Sequence, residues 1–93
     1  MGESMDKVVR EQAMNFFFRP TTVLLQQYGR YADSNEVATF QRRFDDLKAE
    51  LTLAFDSGEA YEAHLTREEL KKLCGDLQRK IDLYKRHVAI GSA

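Results

Sequence analysis

The sequence predicts an all-α protein, a small bundle of four helices that ends in a long antiparallel helical hairpin. Three observations carry this. From Val37 to Ala54 the apolar positions alternate spacings of three and four, the signature of a helix with one buried face. From Leu70 to Val88 the same pattern runs for about five turns. One proline and five glycines in 93 residues leave few places to turn the chain, whereas a β-sandwich shows turn clusters every ~8–12 residues.

The first helix is expected over about residues 4–18. Met5, Val8, Val9, Ala13, Met14 and Phe16 to Phe18 give it a face that broadens toward its end, and Ser4 suits its N-cap. Pro20 disfavours the α conformation at Arg19, so this helix is expected to stop there. A second helix is expected over 22–32, with Thr21 or Thr22 as cap, Val23, Leu24, Leu25, Tyr28 and Tyr31 apolar, and Gly29 weakening its last turn.

The third helix, over 34–56, carries the clearest pattern. Val37, Phe40, Phe44, Leu47, Leu51 and Ala54 form a heptad seam; Asp33 or Ser34 caps its start, and Gly58 stands where a C′ glycine belongs. Leu53 and Phe55 lie off the seam and imply a second contact surface. The fourth helix is expected over 66–89, because "TREE" (Thr66 to Glu69) reads as a capping box. Residues 90–93 form a fraying tail, and 1–93 is one helical domain.

Composition excludes several functions. Apolar content of 43% and charged content of 31% are globular values, and a net charge of −1 does not make the whole chain a ligand for nucleic acid or acidic lipid. Cys74 is the only cysteine, so it has no intrachain partner and suits a reducing compartment. Its neighbours Leu70, Leu73 and Leu77 make it a small packed hydrophobe, and with Gly75 it forms a narrow waist for a close helix approach. Charged residues before the first apolar run argue against a secretory leader. Asp6 replaces the serine or threonine of a myristoylation signal, and no apolar run approaches the ~20 residues of a membrane span. The expectation is an intracellular, cytoplasmic protein, with a nuclear location also open.

"FDSGEAYEAHLTREEL" has the outline of a calcium loop between helices. With Asp56 first, the third, fifth, sixth and twelfth positions are Gly58, Ala60, Tyr61 and Arg67. A calcium loop wants oxygen donors at three and five, glycine at six and glutamate at twelve. Ending the loop at Glu68 or Glu69 fails equally, so no metal is expected. His64 and His87 have no further zinc donors at ligand spacing. Lys72, Arg79 and Arg86 recur every seven residues as a stripe that could follow phosphates, but Asp76 and Asp82 lie at intrahelical pairing distances from it. No glycine-rich phosphate loop, G-x-S-x-G or H-E-x-x-H is present. No enzyme activity, cofactor or small-molecule substrate is therefore expected.

The remaining feature is "NFFFRP". Three consecutive phenylalanines cover about 200° of a helix, more than one face can bury. An uncovered aromatic patch marks an interaction site, and arginine and tyrosine favour its rim. The candidate partner-binding residues are Phe16, Phe17, Phe18, Arg19, Tyr28, Tyr31, Leu53 and Phe55. The expected function is a protein-binding module: an adaptor, assembly factor or small subunit whose partner is another protein or a second copy. The heptad seam of the 34–56 helix is one route to a homodimer. Two alternatives are a metal-free helix-loop-helix regulator resembling a degenerate EF-hand in outline and a weak nucleic-acid binder using Lys72, Arg79 and Arg86.

Overall fold

A computed structural model describes the backbone from Gly2 to Gly91 and the side chains of residues 8, 9 and 11–87. The chain is all-helical, but it forms three helices rather than four: α1 (Gly2–Tyr28), α2 (Ser34–Asp56) and α3 (Ala60–Gly91). The Ser4 and Val88 side chains singled out from the sequence lie outside the described residues.

The first correction is at Pro20, which sits inside α1 rather than ending it. Proline supplies no N–H, so the Phe16 carbonyl loses its helical donor, a cost of about 3 kcal/mol in an isolated helix. Packing overrides that cost. Phe17, Thr21, Leu24 and Tyr28 step along one inner face at spacings of three and four, and this face continues through Pro20, which itself points to solvent. A break would throw half of that face out of register. Thr22 caps nothing: its hydroxyl donates back to the Phe18 carbonyl at 3.1 Å. The helix ends at Tyr28, immediately before Gly29, and residues 29–32 turn.

The second correction is at "TREE". Helix α3 begins at Ala60, so Thr66 is no N-cap; it is buried, and its hydroxyl donates to the Glu62 carbonyl at 2.9 Å. The apolar face already starts at Ala63, three residues before Thr66 and seven before Leu70. A connection expected over 57–65 is therefore only 57–59. It closes α2 with a Schellman motif: the Glu59 N–H donates to the Ala54 carbonyl (2.9 Å) and the Gly58 N–H to the Phe55 carbonyl (3.2 Å). Gly58 takes φ +69°, as its C′ place requires. The start of α2 follows the sequence, with the Asp33 carboxylate accepting from the Glu36 N–H at 2.9 Å.

Pairs across the bundle fix its topology. Tyr28 meets Phe40 and Phe17 meets Phe55, so α1 and α2 are antiparallel. Glu36 meets Tyr84 and Arg43 meets Asp76, so α2 and α3 are antiparallel. Helix α1 then runs parallel to α3, with Phe17 beside Arg67, Thr21 beside Cys74 and Tyr28 beside Tyr84. The three helices form a rod of 60 × 24 × 18 Å.

The core follows the α2 seam. Phe44, Leu47, Leu51 and Ala54 are buried against Leu70, Leu73, Leu77 and Ile81 of α3 and Leu25 and Tyr28 of α1. That seam is filled within one chain, so the homodimer route expected through it is closed in the folded bundle. The waist expected at Cys74 and Gly75 is half right. Cys74 Sγ lies 3.0 Å from Thr21 Oγ1, but a Cβ on Gly75 would meet nothing within 4 Å.

Candidate interaction surface

The three phenylalanines diverge because successive helical residues point about 100° apart. Phe18 turns inward and sets its ring edge-on to Phe44 at 6.0 Å. Phe17 is half-buried and stacks on Phe55 of α2 at 6.4 Å. Phe16 points out, 75% exposed, with its ring edge-on to Phe17 at 6.2 Å. Phe16, Phe17 and Phe55 thus form one open row of rings at the α2–α3 turn, with Arg19 exposed nearby on α1. The off-seam Phe55 belongs to the phenylalanine patch rather than to a separate surface.

Leu53 does not join this row. It is 67% exposed and lies on the α2–α3 face, beside a recess of about 390 Å³ shared with Glu50, Glu59 and Glu62. Tyr28 and Tyr31, expected at the rim of the patch, are at the opposite end. Eleven residues separate Tyr28 from Phe17, about 17 Å along the helix. Tyr28 is 1% exposed and is a core residue, while Tyr31 stacks on Tyr84 at 6.2 Å.

Beside the phenylalanine row, α1 and α3 part to leave a groove of about 500 Å³. Phe17, Pro20, Thr21, Leu70 and Cys74 give it an apolar floor, and His64, Arg67, Glu68 and Lys71 line its α3 wall. Glu68 pairs with Lys71 at 3.3 Å. The Arg67 guanidinium lies over the Phe17 ring, 5.6 Å from its centre, and its Nε is buried without a hydrogen-bond partner. Sequence reasoning missed Arg67 because the capping box put it in an exposed first turn. The signal was Ala63, whose apolar spacing to Thr66 and Leu70 starts the helix earlier and turns Arg67 toward α1.

The opposite end is closed by polar chemistry. Glu36 Oε2 accepts hydrogen bonds from Tyr84 (2.7 Å) and Tyr28 (3.2 Å). Burial, then the Glu36 charge, pushes the Tyr28 hydroxyl up to about 12. The hydrogen bond to Glu36 raises Tyr84 in the same direction. Glu36 stands three residues after the Asp33 cap, and nothing in the sequence of its own helix marks its cross-helix role.

The basic stripe is largely paired. Lys72 meets Glu69 at 3.3 Å, and Arg79 meets Asp76, which Arg43 of α2 also holds at 3.1 Å. The Arg43 hydrogen bond, then that from Arg79, keeps Asp76 below the usual carboxylate range. No group of three or more histidine, cysteine, aspartate or glutamate side chains is placed to hold a metal among the described residues. Among them, too, no helix is long and apolar enough to cross a membrane.

Comparison with protein-family models, with curated proteins and with solved structures gives no match to this chain.

Proposed function

We propose that the protein is a non-enzymatic protein-binding module, a small adaptor, assembly factor or complex subunit, and that it binds through the phenylalanine end of the bundle. The observation that carries this is the 75% exposure of Phe16 in contact with the half-covered rings of Phe17 and Phe55. A folded monomer ordinarily turns such rings inward, and aromatic rings beside arginine are the residues that dominate binding at interfaces. The groove along α1 and α3 extends the same surface, with the Arg67 guanidinium over Phe17 beside its apolar floor.

The test is a complex isolated with the native chain as bait, repeated with Phe16→Ser and Phe17→Ser. Phe16→Ser is expected to release the partner while helicity and melting temperature stay at native values. Phe17→Ser is expected to release it with a modest loss of stability, because its ring also packs on Phe55. If Phe16→Ser unfolds the chain, or leaves every complex intact, this end is not the binding surface.

A further inference from the structure

Helix α3 carries a cationic stripe beside its core face. The buried positions Ala63, Thr66 and Leu70 fix which side of α3 meets the bundle. His64, Arg67 and Lys71 each stand one residue after one of them, at spacings of three and four, so they share the adjoining stripe. This stripe is the α3 wall of the groove beside α1, next to the apolar floor that Phe17, Pro20 and Leu70 supply. Thr21 and Cys74 complete the floor with their polar atoms turned to one another, Oγ1 to Sγ at 3.0 Å. The volume of about 500 Å³ falls inside the range of small-molecule sites, about 300–1,000 Å³.

The charge in this groove is unmatched. Among the described residues three cations are half-buried: Arg43, Lys48 and Arg67. Arg43 meets Asp76 at 3.1 Å and Lys48 meets Asp45 at 3.4 Å. Arg67 meets no carboxylate of the described residues. Its Nε is sealed without a partner and its guanidinium rests over the Phe17 ring, which holds the head at the groove. A partly desolvated cation is stabilised by an anion, and the planar guanidinium fits a carboxylate best. Glu68, the one acid of the wall, is already held by Lys71 at 3.3 Å, so the groove keeps an excess of positive charge.

We propose that this groove binds a small apolar carboxylic acid, its hydrocarbon part on the Phe17–Leu70 floor and its carboxylate on Arg67. The acid is held as a ligand and is not transformed. Nine residues line the groove, well short of the roughly 20–30 that a protein interface uses on each side. The groove taken alone therefore matches a small ligand in size. The proposal goes beyond the protein-binding reading, since Phe16, which carries that reading, does not line the groove.

Isothermal titration of the native chain with hexanoate, octanoate and decanoate tests this, with octan-1-ol as the uncharged control. One acid is expected to bind per chain, with affinity rising by up to about fourfold for each added methylene. Octanoate is expected to bind at least about tenfold more tightly than octan-1-ol. Arg67→Gln is expected to erase that preference while octan-1-ol binds as before, and Phe16→Ser is expected to leave octanoate binding unchanged. A further arm needs no variant, and so stands if Arg67→Gln proves unstable. Cys74, the only thiol, lies on the groove floor, and saturating decanoate is expected to slow its alkylation by iodoacetamide. No binding at one acid per chain, an alcohol held as tightly as the acid, a preference that survives Arg67→Gln, or a Cys74 rate indifferent to decanoate would overturn the proposal. A chain that ignores every acid, yet loses a protein partner through Phe16→Ser, sinks the small ligand and leaves the protein-binding reading in place.

Discussion

The two ends of this bundle solve the same problem in opposite ways. Each brings together aromatic rings from neighbouring helices. At the tyrosine end, Tyr28, Tyr84 and Phe40 pack edge to face, and Glu36 accepts from both hydroxyls, so rings and polar tips alike are satisfied within the chain. At the phenylalanine end, Phe16, Phe17 and Phe55 have no polar tips; Phe55 of α2 covers only one side of Phe17, and Phe16 is left open. The first turns of α1 continue beyond α2 with Val8 and Val9 exposed. The contrast teaches that exposure here follows from direction around α1: Phe17 and Phe18 turn toward α2, whereas Phe16 faces away from it.

Truncating one ring at each end gives the largest expected contrast. Tyr28→Ala removes a ring from a fully packed site and is expected to cost about 3–5 kcal/mol, as buried aromatic truncations do. Phe16→Ala is expected to change the stability of the monomer by no more than about 0.5 kcal/mol. Urea denaturation of the two variants at low protein concentration measures both. Comparable losses would erase the distinction between the ends.

A smaller effect is expected from Glu36→Gln. It keeps an acceptor but removes the charge that strengthens two hydrogen bonds, so a loss of about 1–2 kcal/mol is expected. The same cluster gives the tyrosine end an alkaline signature. The Tyr28 hydroxyl rises to about 12 in the folded chain against an ordinary value near 10. A raised folded value holds the proton more tightly than the unfolded chain does. Its contribution is therefore complete below about pH 10 and is lost as pH climbs from there toward 12. Denaturation midpoints measured across that window should fall less steeply for Tyr28→Phe than for the native chain. Parallel slopes would show that Tyr28 does not titrate as its surroundings imply.

The smallest change expected is a gain. Gly75 lies inside α3 with open space where a Cβ would stand, so Gly75→Ala should stabilise the bundle by about 1 kcal/mol. A loss would mean that the α3 surface at Gly75 is covered by something a methyl group disturbs.

What the sequence could disclose divides along the same lines. The α2 seam and its Asp33 and Gly58 ends were readable because periodicity, cap and C′ glycine agree there. Pro20 and Thr66 misled for one reason. Both are local signals, a helix breaker and a helix cap, and in both places a continuous apolar face running through the position outweighs the local preference. Phe16 to Phe18 told that one ring must lie outside but not which, since that depends on where α2 and α3 sit around α1. The Phe17–Phe55 contact joins residues 38 apart, and Arg67 enters the surface only once α3 starts at Ala60.

The difference between the ends can be read in a single measurement: amide hydrogen exchange along α1 in the free chain and in the complex isolated with it. Residues 21–28, anchored by the core, are expected to exchange only through global unfolding in both states. Residues 11–16 are expected to exchange orders of magnitude faster in the free chain and to gain protection in the complex. Equal protection of the two segments in the free chain, or exchange at 11–16 that the complex leaves unchanged, would contradict an open end completed by a partner.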